Sequence, residues 1–338
     1  MSPSAEVFLT GATGFVGSHV LRALLAANYR VRALVRSGSR PLPYLDGCTV
    51  VSGDLLRPGD LVRHMEGCRY LVHVAALYSF SPGQRDGIWA TNVLGSTGLL
   101  EAARIAGIER AVVTSSSATV GPACGDQPAT EEDRADETAT PGVSLSGYHH
   151  SKLEQERVVL AAQVPAVLVL PTTPIGPGDW KPTPTGKMLV DFMRGRIFAS
   201  LEGGLNVVAV EDVAQAHVLA LQHGRERERY LLGGENLSLA DLWSRLARIC
   251  NRKPPTYRIP YQLALALGWA DEIRCRLSAR TASGSAAPLV PLEGVHMARH
   301  RMYVSSEKAR SELGYRPTLV DAALERAVRW YRDHGYAA

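Results

Sequence analysis

The sequence predicts an α/β fold, a doubly wound and mostly parallel sheet with a smaller lobe, and three observations carry that expectation. In Glu6–Leu25, EVFLTGATGFVGSHVLRALL, a short apolar run (Val7, Phe8, Leu9) ends at Thr10, three glycines follow, and an amphipathic pattern begins at once. Further strand-like runs recur at Arg30–Val35, Thr49–Gly53, Tyr70–Val74, Arg110–Ser115 and Ala166–Leu170. The chain, at 338 residues, is long enough for one large α/β domain with an appended lobe.

The first element is strand, tight turn, helix. Gly11, Gly14 and Gly17 answer separate needs: a sharp turn out of the strand, close approach of backbone to a pyrophosphate, and tight packing of the helix on the sheet. The helix then offers unpaired N–H groups and the positive end of its dipole to phosphates. Thr13, Phe15 and Val16 share the turn, so Gly11–Gly17 is expected to bind a dinucleotide. The end of the second strand selects which one. An acid there would bind a ribose 2′-hydroxyl and an arginine would accommodate a 2′-phosphate; the chain has Arg36 and Ser37, with Arg40 nearby and no acid before Asp46. NADP(H) is expected, with NAD(H) the alternative, because a guanidinium can also stack on adenine of either cofactor. Asp54-Leu55 and Ala75-Ala76 follow the third and fourth strands, where strand ends line the crevice; Asp54 can accept from an adenine amino group or cap a helix.

Trp89–Ala106 has helical spacing, with Asn92 and Gly95 near its start. The fifth strand opens into Ser115-Ser116-Ser117, and a second helical segment runs from Tyr148 to Gln163. Tyr148 and Lys152 are four apart and lie one turn above the other on one face. A tyrosine of ordinary pKa, about 10, is a poor base at neutral pH, but a neighbouring ammonium favours its phenolate. A serine hydroxyl beside it can hold the substrate oxygen.

The set GATGFVG, Asp54-Leu55, HVAA at His73–Ala76, NVLG at Asn92–Gly95, SSSATV at Ser115–Val120 and YHHSK at Tyr148–Lys152 resembles the extended short-chain dehydrogenase/reductases, over nearly the whole chain. The resemblance implies a Rossmann-type sheet, places the catalytic serine on Ser117, and gives Tyr148 and Lys152 the other two catalytic roles. It implies cofactor contacts from Asp54, Leu55, Ala75, Ala76, Asn92 and Ser115, and from Pro171 and Thr173 at the nicotinamide end. Tyr78, His149, Asp179, Trp180 and Lys181 are candidates for the substrate. Gly121 stands where many relatives have tyrosine, a departure that leaves the serine intact and argues against close kinship with UDP-galactose epimerases. The proline-rich loop PTTPIGPGDWKPTP, Pro171–Pro184, and VRALVR look most like the hopanoid-associated sugar epimerase subgroup. Helices at Trp89–Ala106 and Tyr148–Gln163 resemble those of the family's four-helix dimer interface and imply a homodimer.

The dinucleotide domain is expected at 1–175 and 206–233, a discontinuous α/β substrate lobe at 176–205 and 234–316, and a C-terminal helix at 317–338. Asn206–His217 resembles the family's return to the main domain, Tyr230–Leu232 an edge strand, and SSEKARSELGYRP its terminal helix and turn. Leu239–Cys250 reads as an amphipathic helix, Ile259–Ala270 as a more apolar one, and Arg280–Pro291 as a Ser/Ala/Gly-rich lid or loop. The apolar helix is expected to be buried in the lobe; Arg274, Arg276 and Arg280 after it allow the alternative of a membrane-surface role if the substrate carries a polycyclic tail.

Composition excludes several classes. The net charge of +4 is dispersed, and Arg225–Arg229 alternates base with acid, which argues against nucleic acid. Five scattered cysteines, including Cys124, in no CxxC pattern argue against a disulfide frame or zinc site. His149 and His150 point apart on a helix and form no metal set. No leader and no membrane-length apolar run is read, so a cytoplasmic enzyme is expected, peripheral to the inner membrane face for a lipid-linked substrate. The reading is an NADP(H)-dependent oxidoreductase working by Ser-Tyr-Lys chemistry on a sugar or polyol carbonyl or alcohol, hopanoid-linked in the subgroup's sense. The alternatives are a nucleotide-sugar-type epimerase or dehydratase that retains NAD(P), a dihydroflavonol-reductase-like ketone or aldehyde reductase, and a non-catalytic cofactor-binding regulator.

Overall fold

The computed structural model describes residues 5–37, 45–79, 82–122, 127–135, 147–197, 199–280 and 292–337. Arg40, Cys124 and all but the first residue of the expected Arg280–Pro291 loop lie outside them.

The main sheet has seven strands: β1 (Glu6–Thr10), β2 (Arg30–Val35), β3 (Thr49–Ser52), β4 (Tyr70–His73), β5 (Arg110–Thr114), β6 (Ala166–Pro171) and β7 (Arg229–Leu232). Their spatial order is β7-β6-β5-β4-β1-β2-β3, and every pairing is parallel. The strand order reverses between β1 and β4, so the crevice of this sheet opens beyond Thr10 and His73, which are register partners. The interior strands are almost entirely apolar because helices cover both faces. On one face the helices Phe15–Ala26 and Val210–His223 bring Leu21, Leu24, Val213 and Leu221 onto Val7, Leu9 and Val112. On the other, Gly95–Ile105 and Gly147–Ala161 set Leu99, Ala103 and Val159 against Phe8, Leu71 and Val113. This second layer is what carries Tyr148 and Lys152 to the sheet.

A smaller sheet of Glu235–Ser238, Gly204–Ala209 and Arg301–Met302 is joined by Thr173–Ile175 directly after β6. Its core stacks Phe192 on Trp243, with ring centroids 5.5 Å apart, and gathers Leu189, Leu242, Leu246, Leu324 and Tyr331. The C-terminal helix Val320–Asp333 packs into this core.

Two helices differ from the expected spans. The first does not begin at Trp89 but at Arg85, and it widens into a π-type turn over Ala90–Leu94 before continuing as Gly95–Ile105. The apolar helix expected at Ile259–Ala270 covers Tyr261–Arg280. Its periodicity fades at Asp271 and Arg274, yet these two pair one turn apart at 2.7 Å and support the helix they seem to interrupt.

Candidate active site

The glycine turn is as tight as the sequence demands. Gly11 has φ +80°, and a Cβ there would sit 2.6 Å from the Ala75 nitrogen; one on Gly17 would lie 1.9 Å from the Gly11 carbonyl oxygen. The Gly14 N–H donates to Gly11 O at 2.9 Å. The helix Phe15–Ala26 starts at Gly14 with no side-chain cap and no acid in its first turn. Its N–H groups and dipole therefore face the crevice uncompensated, and this backbone cradle fits a pyrophosphate. Thr13 and Gly14 are exposed there, Phe15 and Val16 half-buried. Ala75 and Ala76 leave β4 beside it, the Ala75 N–H donating to Thr10 Oγ1 at 3.3 Å.

Arg36 is exposed at the end of β2. No carboxylate pairs with it among the described residues. Ser37 and Ser52 share a hydrogen bond of 2.8 Å across the same strand ends. Asp54 accepts the Leu56 N–H at 3.0 Å in a local turn, and the Leu55 side chain is buried in the core, leaving only its backbone to face a ligand.

The three serines after β5 divide their work. Ser115 donates to Glu156 Oε1 at 2.5 Å, Ser116 caps the short turn Ser117–Thr119, and Ser117 is half-buried with no side-chain hydrogen bond among the described residues. Glu156 is buried by the helix Gly147–Ala161, also accepts from Thr119 at 2.7 Å, and lies 3.0 Å from Arg229 of β7. The same helix carries Tyr148, half-buried at its start, and Lys152, 1% exposed one turn on. Lys152 Nζ lies 5.9 Å from the Tyr148 ring centroid and donates to Thr114 O and Gln155 Oε1, each at 2.9 Å. Burial pushes Lys152 down to about 7, against the pull of Glu156. Ser115 and Thr114 thus pin this helix to the strand end from which Ser117 emerges.

Several assigned residues have other occupations. Asn92 is fully buried; its Oδ1 accepts the Leu77 N–H at 2.8 Å, and its Nδ2 donates to Leu77 O at 3.1 Å and Ser151 Oγ at 3.0 Å. It clamps the exit of β4 onto the helix of Tyr148, and it lies in the wide turn at Ala90–Leu94. Ser115 and Pro171 are likewise buried. Asp179 is 2% exposed, its Oδ2 accepting from Thr183 N, Thr183 Oγ1 and Tyr331 Oη at 2.8–2.9 Å. The carboxylate, expected at the substrate, anchors the C-terminal helix. Trp180 packs edge-on against Trp330 and His334 of the same region, Lys181 is exposed beside it, and Thr173 enters the smaller sheet. Tyr78 and His149 do gather at Tyr148, with ring centroids 4.5 and 6.3 Å from it. Sequence reasoning missed Thr10, His73, Ser96 and Gln155, a buried polar chain behind Lys152; the His73 in HVAA and the Gln155 three after Lys152 were its visible traces. Among the described residues no group of three or more His, Cys, Asp or Glu could hold a metal ion, and no helix is long and apolar enough to cross a membrane.

A glycine cradle at a topological switch point, with a tyrosine and a buried lysine one turn apart on a helix pinned to the end of β5 in the same sheet, defines a Rossmann-type dinucleotide enzyme. The chain belongs to the NAD-dependent epimerase/dehydratase family, whose model matches residues 7–233, and so to the extended short-chain dehydrogenase/reductases, a family of oxidoreductases and epimerases. It is 41% identical to a putative dihydroflavonol 4-reductase of Synechocystis sp., over 97% of this chain and 95% of that one. It is 32% identical to sterol demethylase protein B of Methylococcus capsulatus, over 97% and 98% of the two chains. The crystal structure of gox2253, 36% identical, superposes with a TM-score of 0.85 and covers 99% of this chain and 100% of that one.

Proposed function

We propose that the protein is an NADP(H)-dependent oxidoreductase that interconverts a secondary alcohol and a ketone, with Ser117, Tyr148 and Lys152 as its catalytic residues. The observation that carries this reading is the buried Lys152, one turn from Tyr148, at the strand end where Ser117 alone of three serines keeps its hydroxyl free of protein partners among the described residues. Ser117 holds the reacting oxygen, Tyr148 gives or takes its proton, and the Lys152 charge keeps the phenol within reach of neutral pH. Gly11–Gly17 would hold the pyrophosphate, Asp54 the adenine and Lys152 the nicotinamide ribose. When bound, the nicotinamide exchanges a hydride with the substrate carbon. The glycine-turn domain binds cofactor in this reading, and the lobe of 176–205 and 234–316 covers substrate.

The substrate class we infer is a ring alcohol or ketone on an apolar, polycyclic molecule, which includes a sugar or polyol group carried on a hopanoid. Relatives named for a dihydroflavonol and for sterol demethylation support the apolar ring. The family's epimerases support the second reading, in which cofactor is retained and the alcohol is returned with inverted configuration.

Arg36 supports the choice of NADP(H). Arg36→Asp is expected to weaken NADP(H) binding about ten- to a hundredfold, the worth of one charge-assisted pair, while NAD(H) binding changes little. Equal losses for the two cofactors in calorimetric titration would remove Arg36 from that role.

Homodimer formation through the helical layer of Arg85–Ile105 and Gly147–Ala161 is part of the proposal, supported by exposed Trp89, Leu94 and Ile105. So is a cytoplasmic enzyme working at the inner membrane face. The helix Tyr261–Arg280 exposes Leu263, Leu267, Trp269, Ile273 and Leu277, and residues 252–301 hold eight Arg or Lys against three Asp or Glu. Light scattering should give twice the chain mass, and the protein should float with phosphatidylglycerol vesicles but not with phosphatidylcholine ones. A monomer removes the first part of this proposal; no flotation removes the second.

A further inference from the structure

The polar groups behind Lys152 have proton directions that can all be assigned. The Asn92 carbonyl, 2.6 Å from Ser96 Oγ, has no proton to give, so Ser96 donates to it. The Ser96 oxygen therefore accepts from its other two neighbours, Gln155 Nε2 at 2.8 Å and His73 Nε2 at 2.9 Å. His73 consequently carries its proton on Nε2 and accepts at Nδ1 from the Thr10 hydroxyl, 2.7 Å away. With its amide nitrogen engaged by Ser96, Gln155 can present only Oε1 to Lys152. Gln155 and Ser96 are fully buried, and His73 is 1% exposed.

Thr114 O and Gln155 Oε1 take two of the three ammonium protons of Lys152. Once two are fixed, tetrahedral geometry fixes the third. We propose that Gln155 is a positioning residue for the Tyr148–Lys152 pair: anchored by Ser96 and His73, its carbonyl holds the Lys152 ammonium charged and turns its remaining N–H toward the crevice. This rests on the Tyr148–Lys152 reading above.

The surroundings make that acceptor consequential. Burial pushes Lys152 down to about 7 and His73 down to about 3, the latter helped by the lysine's own charge. His217, behind the Thr114 hydroxyl, is also held neutral by burial, down to about 4. Glu156 supports the ammonium, but its carboxylate is shared with Arg229, Ser115 and Thr119. Removing the Gln155 carbonyl therefore shifts Lys152 toward the neutral amine, and the phenol of Tyr148 loses the charge that favours its ionisation.

The test uses the whole chain with its tighter-binding oxidised dinucleotide at saturation. Phenolate absorbance at 295 nm, taken as the difference from the Tyr148→Phe variant, isolates Tyr148 from the other tyrosines of the twelve in the chain. In the parent the Tyr148 step should lie below the ordinary value of about 10. In Gln155→Met it should move up by about one pH unit, measured with the dinucleotide raised until the variant too is saturated. A step that stays in place in the folded variant overturns the proposal and leaves the Tyr148–Lys152 reading standing. A parent step at the ordinary value overturns that reading and the proposal with it. If Gln155→Met does not fold, neutron diffraction of the unaltered protein decides. Deuterium on the Gln155 nitrogen toward Ser96 supports the assignment, and an amide turned with its nitrogen toward Lys152 overturns it.

Discussion

Tyr148→Phe is expected to lower turnover about 10²- to 10⁴-fold, the usual worth of a positioned proton-transfer group, while dinucleotide binding stays near that of the parent. The substitution removes one oxygen. It leaves the ring against Tyr78, the helix Gly147–Ala161 and the hydrogen bonds of Lys152 in place. The loss should fall on kcat, because the phenolic proton is needed only as the substrate oxygen changes charge. Measurement of NADPH oxidation with a panel of ketones, among them a dihydroflavonol and a 3-ketosterol, checks this. Full turnover in the phenylalanine variant would exclude Tyr148 as the proton donor.

The largest effect on stability should come from Arg229→Met. Arg229 and Glu156 have side chains only 3% and 4% exposed and approach to 3.0 Å. The guanidinium also donates to Glu131 O at 2.6 Å, Asp133 O at 3.2 Å and Thr119 Oγ1 at 2.9 Å. Removing it strands a carboxylate beneath the serine turn, at a cost of about 3–5 kcal/mol for breaking a buried pair from one side. Burial already raises the Glu156 pKa in the intact protein, and loss of Arg229 can only raise it further. A carboxyl whose folded pKa lies above its unfolded value takes up a proton on folding, so the variant's deficit should shrink as pH falls toward that of ordinary carboxylates. Urea unfolding at pH 8 and pH 5 measures both effects, and adding Glu156→Gln should restore part of the loss at pH 8. A deficit below about 1 kcal/mol at pH 8 would show that the pair is not what holds the helix Gly147–Ala161 to β7.

How much of this was legible follows from the range of each interaction. The glycine turn and the Tyr148–Lys152 pair are local: neighbours within a turn or a strand exit dictate them, so residue type and spacing reveal both chemistry and place. The sheet was legible because fully covered parallel strands leave continuous apolar runs. Asn92 and Asp179 were assigned to ligands by the family resemblance, which carries a position over but not its burial. In the folded chain both are buried, and their partners, Ser151 and Tyr331, lie 59 and 152 residues away. The chain from Thr10 through His73 and Ser96 to Gln155 spans separations of 63, 23 and 59 residues, and no periodicity encodes it. The helix after Tyr261 ran past its expected end because an i,i+3 ion pair sustains a helix that apolar spacing alone would have stopped.

The most direct test of the central claim is calorimetric titration of nucleotide-free protein with NADP(H) and NAD(H), together with identification of any nucleotide released on denaturation. An NADP(H)-dependent oxidoreductase that exchanges its cofactor each turnover predicts binding of NADP(H) at least about tenfold tighter than NAD(H), the worth of one phosphate contact, and no nucleotide retained through purification. NAD held tightly and released only on unfolding would contradict it and make retained-cofactor epimerisation the reaction.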